Sequence, residues 1–342
     1  MYKKTLIHVS RVNPVNLFRQ LLLLKMFLPT SIKTILALGS MAAAQLYDTS
    51  NSITSLSGTL NTSDAQFVGN YYNYWSVSNT TGNLTYDLSR SDRLPTTSPK
   101  HLKNVFFGSR KSAIIEPSRT ALVIIDMQNY FLHPSLSPKA SGGRWAVQPT
   151  LDMITGFRDM GSKVLWTNWG LDNFDLVTIP PSLLEGFAMN ESNIPGSTFG
   201  SDMGTLTAEN GSKIEVGRTL MRGSWNAQPY GPLYPAMAEG LANGTDFYFN
   251  KNRLSGLWGA QTPLGLFLQE REITTLFFGG VNADQCVWGT LLDAYYKGFD
   301  VVYVDDISQT VSPFSAREMC RYNADLDGFI GNSTEILAAL AK

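Results

Sequence analysis

Cysteine and histidine are nearly absent from this chain. Cys286 and Cys320 are its only cysteines, too few for a disulfide framework, so a packed core has to hold the fold. A bridge between these two would silence both thiols. The three histidines, His8, His101 and His133, are too far apart in sequence for a local metal motif, so no metal or other cofactor is expected. Charge is scarce and balanced. With 27 Lys and Arg against 28 Asp and Glu, and no basic run, the chain lacks the footprint of a nucleic-acid binder. Gly-rich phosphate loops are missing, which removes the dehydrogenase and kinase classes. Long apolar runs are confined to the first 44 residues. The better one, Ile35–Ala44, falls short of the roughly 20 residues a bilayer span needs, so no stable membrane span is expected.

Residues 1–44 read as a targeting segment. Lys3, Lys4, Arg11, Arg19 and Lys25 give a basic start, and Ile35–Ala44 fits the apolar core of a signal peptide cleaved after Ala44. Met26 is a candidate true start, with Lys33 as the leading charge. A signal anchor or a mitochondrial presequence is the alternative, since residues 1–33 hold no acidic residue. Seven N-x-Ser/Thr sequons begin at Asn61, Asn79, Asn83, Asn190, Asn210, Asn243 and Asn332. With the leader, they favour a secreted, N-glycosylated protein. Residues 45–115 form a polar extension with an aromatic cluster at Phe67, Tyr71, Tyr72, Tyr74 and Trp75, too aromatic for pure disorder. It is expected to lie across the main domain or a partner subunit. Leu94–Lys100 reads as a linker.

Residues 116–342 alternate apolar strand-like runs with helical spacings, which argues for a doubly wound α/β/α domain with a mostly parallel sheet. The strands expected are Thr120–Ile125, Lys163–Asn168, Asp246–Asn250, Thr274–Phe278 and Phe299–Val304, the last ended by Asp305 and Asp306, with a short one near Gly328–Ile330. Helices are expected over Leu151–Met160, Thr262–Gln269, Val287–Tyr296, Ser315–Tyr322 and Thr334–Leu340. Residues 171–243 show little periodicity and read as a long, functional or disordered loop.

Three strand ends carry chemistry. Asp126 follows the first run, Lys251 the third, and Cys286 stands where the fourth turns into a helix. Parallel strands bring such ends to one edge, where open α/β sheets bind ligands. A helix N-terminus and a nearby ammonium both favour a thiolate, and a carboxylate can carry its proton. Each residue alone has a plainer reading: Cys286 as a small buried hydrophobe, Asp126 as a cap, Lys251 as a solvated charge. Together they are harder to dismiss, as a thiol nucleophile with a cation and a proton carrier at one edge.

Ala121–Gln128, Lys251–Trp258, Gly280–Val287 and Gly298–Val301, in this order and spacing, resemble the isochorismatase-like cysteine hydrolases. That family includes nicotinamidases and N-carbamoylsarcosine amidohydrolase. Trp166–Leu171 and Arg222–Asn226 resemble a fungal branch of it. The resemblance covers about residues 105–342 and implies the same fold, a triad of Asp126, Lys251 and Cys286, and a non-proline cis peptide at Val281–Asn282. It also implies an oxyanion hole from the Asn282 and Cys286 N–H groups, and dimers or tetramers. Gln128, Phe131, Trp169 and Trp225 are candidate walls of a small-molecule pocket. The metal-binding nicotinamidases carry an Asp and several His just after the second strand. Asn168-Trp169-Gly170-Leu171-Asp172-Asn173-Phe174 stands there instead, without His, which makes nicotinamide a less expected substrate. Three functions stay open: hydrolysis of a small amide or other C–N bond through a thioester, vinyl-ether hydrolysis with Asp126 as the acid, and a secreted, non-catalytic binding protein.

Overall fold

The computed structural model describes residues 65–70, 73–80, 82–90, 102–108, 111–190, 198–208 and 210–341. The leader, the Met26 start, the Leu94–Lys100 linker, Tyr71, Tyr72 and the sequon at Asn61 lie outside them. No helix among the described residues is long and apolar enough to cross a membrane.

Five strands come first: β1 (Ala65–Gly69), β2 (Tyr74–Thr80), β3 (Asn83–Asp87), β4 (Lys103–Phe107) and β5 (Lys111–Ile115). They form one sheet in the order β1-β2-β3-β5-β4, in which only the β3–β5 pair is parallel. The chain then enters the main sheet at β6 (Thr120–Ile125). The helices α1 (Asn129–Leu132), α2 (Ser141–Trp145) and α3 (Val147–Asp159) lead to β7 (Lys163–Trp169). The stretch after β7 is not a structureless loop. It contains α4 (Asn173–Thr178), α5 (Pro181–Asn190), a hairpin of β8 (Thr205–Thr207) and β9 (Lys213–Glu215), and α6 (Leu233–Asn243). Asp172 starts α4 by accepting from the Asp175 N–H while the Asp175 carboxylate accepts from the Asp172 N–H, a reciprocal cap. Then follow β10 (Asp246–Lys251), α7 (Pro263–Glu270), β11 (Thr275–Val281), α8 (Trp288–Tyr296), β12 (Asp300–Gln309), α9 (Phe314–Asp327), β13 (Phe329–Gly331) and α10 (Ser333–Leu340).

The main sheet has six strands, all parallel, in the order β10-β7-β6-β11-β12-β13. Every residue of β6 and β11 is buried, because helices cover both faces. On one face Leu122, Ile124, Val164, Trp166 and Phe277 pack against α3, α6 and α10 through Ile154, Phe157, Met237 and Ile336. On the other, Val123, Ile125, Leu165 and Phe278 pack against α7 and α8 through Leu264, Leu268 and Leu291. Each such side chain contributes about 1.5–3 kcal/mol when fully buried. The fold is therefore the doubly wound α/β/α arrangement.

The small sheet shares the first of these cores, through Val105, Phe107, Ala113 and Ile115. Trp75, Tyr86 and Phe107 surround Phe329 of β13 with ring centroids 5.8, 5.5 and 5.1 Å away. Beside them the Arg90 guanidinium clasps Asp300 with bonds of 2.8 and 2.9 Å. The five described sequon asparagines whose side chains are placed, Asn79, Asn83, Asn210, Asn243 and Asn332, are all exposed.

Strand β12 departs from the expected stop at Asp305 and Asp306. It runs on to Gln309 because both carboxylates are matched: Asp305 by Arg317 and Arg321 at 3.2 and 3.3 Å, Asp306 by the N–H and hydroxyl of Ser333. The longer strand brings Ser308 and Gln309 alongside Gly280 and Val281.

Candidate active site

Strands β6, β7 and β11 run side by side, with Ile125 in register with both Thr167 and Gly280. A side chain at Gly280 would drive its Cβ to 2.0 Å from the Ile125 carbonyl oxygen, and its φ of +135° suits glycine. Close backbone approach here lets β11 end beside Asp126. That aspartate itself has φ +52°, a conformation uncommon for a residue with a side chain. Its N–H donates to the Asn168 side-chain oxygen at 3.0 Å, which fixes the turn.

The Asp126 carboxylate lies at the junction of three strands. Oδ1 accepts from the Trp169 N–H at 2.9 Å. Oδ2 stands 2.8 Å from Lys251 Nζ, at the end of β10. The Cys286 thiol completes the set: it lies near enough to this carboxylate for each group to shift the other's titration. Lys251 also donates to the Arg253 carbonyl at 3.1 Å and sits 3.9 Å from the centre of the Trp169 ring, a cation–π contact. The structure thus brings Asp126, Lys251 and Cys286 into one buried chain, with 0, 4 and 4 % exposure.

Burial decides the resting protonation. Desolvation raises the Asp126 pKa, opposed by the Lys251 charge. Desolvation also pushes the Cys286 thiol up to about 12; Lys251 pulls it down and Asp126 adds to the rise. The sequence pattern favoured a thiolate at a helix N-terminus. Instead the cysteine rests as a thiol, because it is sealed in and faces a carboxylate as well as an ammonium. Its segment, Ala283–Val287, is a wide π-type turn that feeds α8. Thr290, one turn on, donates to the Cys286 carbonyl at 2.7 Å and accepts from the Gly256 N–H at 3.1 Å, tying this turn to the Lys251 loop.

The Val281–Asn282 peptide bond is cis and stands directly before that turn. Asn282 accepts from the Val311 N–H through its side chain, and Asp284 accepts from the Thr310 hydroxyl. These bonds hold the backbone N–H groups of this turn in place.

The four candidate pocket residues divide. Gln128 is fully buried and spent on the backbone: its amide donates to the Trp169 and Ala227 carbonyls and accepts from the Trp169 N–H. It is a strut that positions Trp169, not a wall facing substrate. Trp169 is also fully buried, with its ring under Lys251 and its indole N–H without a hydrogen-bond partner. Phe131 and Trp225 are partly exposed; Trp225 stands edge-on to His133 at 5.0 Å. Sequence reasoning missed Asn168 and Thr290, whose roles depend on neighbours distant in the chain. It also missed Phe187 and Phe199. These rings stack at 3.9 Å, and Phe199 lies 4.8 Å from the Trp169 ring, covering the buried site from the 171–243 segment.

Asp172, just after β7, caps α4 and lies 3.5 Å from Arg222. Among the described residues no cluster of three or more His, Cys, Asp or Glu could hold a metal ion.

A family model described as the isochorismatase domain matches residues 120–324, more than half of the chain. Among solved structures, a cysteine hydrolase from Pseudomonas syringae pv. phaseolicola 1448A is similar at 16% identity, with 72% of this chain and 99% of that one covered and a TM-score of 0.50. A nicotinamidase from Bacillus subtilis aligns at 22% identity over 63% of this chain and 99% of its own, with a TM-score of 0.46. An N-carbamoylsarcosine amidase from Thermoplasma acidophilum aligns at 21% identity over 63% and 96%, with a TM-score of 0.43. At its identity the likeness to the first of these is one of fold.

Proposed function

Because this chain belongs to the isochorismatase family of hydrolases, we propose that it cleaves a small amide or other C–N bond with Cys286 as the nucleophile. The observation that carries this reading is the burial of Lys251, Asp126 and Cys286 together at the strand ends, with Lys251 Nζ 2.8 Å from the Asp126 carboxylate and Cys286 coupled to both charges. On attack, the thiol proton passes to Asp126 as the sulfur–carbon bond forms. The developing oxyanion is held by the Asn282 and Cys286 N–H groups. Asp126 then gives its proton to the leaving nitrogen, the C–N bond breaks, and a thioester remains. Water enters, gives a proton to Asp126, and displaces the sulfur, which regains that proton as the acid departs. Lys251 opposes the desolvation that raises the Asp126 pKa, and so favours the ionised carboxylate.

The test is a panel of small amides with the wild type and with Cys286→Ala, Cys286→Ser, Asp126→Asn and Lys251→Met, plus mass detection of an acyl adduct on Cys286. Full activity in both cysteine variants would end the covalent scheme.

The raised Asp126 pKa favours a second reading, vinyl-ether hydrolysis with Asp126 as the acid and Cys286 as a bystander. Pyruvate release from isochorismate that survives Cys286→Ala would select it. We also propose that the protein enters the secretory route and carries N-glycans. The exposure of its described sequon asparagines supports this, and a mass shift on endoglycosidase treatment of the secreted protein tests it.

A further inference from the structure

A cavity of about 250 Å³ opens beside Lys251, between the end of β10, the loop that follows it and the N-terminus of α7. Neither Asp126 nor Cys286 lines it. Its lining is mixed. The polar residues include Arg222, Asn250, Gln261 and Thr167, and Phe249 and Trp258 are its aromatic residues. No Asp or Glu side chain lines it.

Three features give this cavity a preference for negative charge. Arg222 is anchored by its Nε on the Gly170 carbonyl at 2.7 Å. Its Nη2 is only loosely paired, 3.5 Å from Asp172 and 3.8 Å from Asp175, so it can take a better acceptor. The start of α7, where the Thr262 side chain accepts from the Gly265 N–H, presents the positive end of a helix dipole. The decisive feature is Thr167. Its side chain is fully buried, lines the cavity, and its hydroxyl has no hydrogen-bond partner. A buried hydroxyl left unpaired is costly, so a missing partner is expected there.

We propose that this cavity is a binding site for a small carboxylate with a flat apolar body. The carboxylate is seated on Arg222 and the Thr167 hydroxyl, and the body lies against Trp258 and Phe249. The site is distinct from the thiol's own substrate position. Lys251 is a wall of this cavity and the partner of Asp126, so an occupant borders the reacting groups without touching the sulfur.

Benzoate is the probe. Its binding to the full-length protein is measured by calorimetry for the wild type, Cys286→Ala, Arg222→Gln and the isosteric Thr167→Val, with each variant's melting curve as the folding control. Saturable one-site binding is expected, unchanged in Cys286→Ala. Arg222→Gln should weaken it about tenfold or more, as loss of a charged hydrogen bond does, and Thr167→Val about three- to tenfold. The absence of saturable binding overturns the proposal. So does loss of binding in Cys286→Ala with retention in Arg222→Gln, which would place benzoate at the thiol. Binding that falls in Arg222→Gln but ignores Thr167→Val also overturns it, as mere attraction to a surface cation.

Discussion

Two buried cation–carboxylate pairs stand at opposite ends of the main sheet. At the strand starts, Arg90 holds Asp300; at the strand ends, Lys251 holds Asp126. The first pair is saturated. Asp300 receives two guanidinium bonds, the Trp75 indole N–H at 2.7 Å and the Thr275 hydroxyl at 3.1 Å. Arg90 places its remaining N–H groups on the Leu88 carbonyl and the Asn73 side chain. The second pair is left with a reactive neighbour. One thiol leans on its carboxylate, and the Trp169 indole N–H nearby has no hydrogen bond of ordinary geometry. The same ionic motif serves as a rivet where every lone pair is used, and as a proton relay where one partner can exchange.

That contrast can be broken at either end. The largest effect is expected at the relay: Cys286→Ala and Asp126→Asn should each lower kcat/KM on the best amide by about 10⁴-fold or more, since residues acting as a unit fail together. Their melting curves should show that the loss is chemical. The rivet should behave in the opposite way. Arg90→Ala strands a buried carboxylate and should cost about 3–5 kcal/mol in denaturant unfolding, with kcat/KM per folded molecule unchanged.

A coupling experiment comes next in size. Lys251→Met alone leaves Asp126 as a buried, unpaired charge, whereas Lys251→Met with Asp126→Asn removes both. The double variant should be more stable than the single lysine variant, by roughly 1–3 kcal/mol of interaction energy in a double-mutant cycle. A finer test is pH. The Asp126 pKa lies above the ordinary 3.8, and the carboxylate must be ionised to accept the thiol proton. Activity should therefore fall on the acid side at a pH above that value, under kcat/KM conditions. Stability carries the opposite sign. A carboxyl whose folded pKa exceeds its unfolded one favours the fold while protonated, and this contribution is lost as pH rises through the folded pKa. Asp126→Asn should remove that component of the pH–stability curve. Smaller than the loss of Arg90, Thr275→Val at the rivet should cost about 1.5–3 kcal/mol, one hydrogen bond to a charged carboxylate.

The sheet was largely legible in the sequence because its strands are buried on both faces and so appear as unbroken apolar runs, as Thr120–Ile125 does. The meeting of Asp126, Lys251 and Cys286 followed from strand ends alone. What stayed hidden depended on partners far along the chain. Asp305 and Asp306 look like a strand stop until Arg317, Arg321 and Ser333 are seen to match them. The helices α4 and α5 are short; Leu176, Leu183, Leu184 and Phe187 pack on residues from other segments, while Phe174 and Val177 of α4 are exposed, which blurs the helical pattern. The extension gave no strand pattern strong enough to read, because its aromatic residues answer to Phe329, more than two hundred residues away. The protonation of Cys286 was misjudged for a related reason: helix position is written locally, whereas burial is a property of the whole fold.

The docking of the small sheet also sets an order of events during synthesis. Its apolar face, with Val105, Phe107 and Ile115, closes on residues from the last strand and last helix, and Lys103 donates to the Leu340 carbonyl. A ribosome releases those residues only after residues 65–328 have emerged. Until then the earliest strands of the described chain have no surface to rest on, and their aromatic side chains stay open to water or to a chaperone. A premature stop just ahead of Phe329 would spare Asp126, Lys251 and Cys286, yet leave the other end of the molecule unsealed.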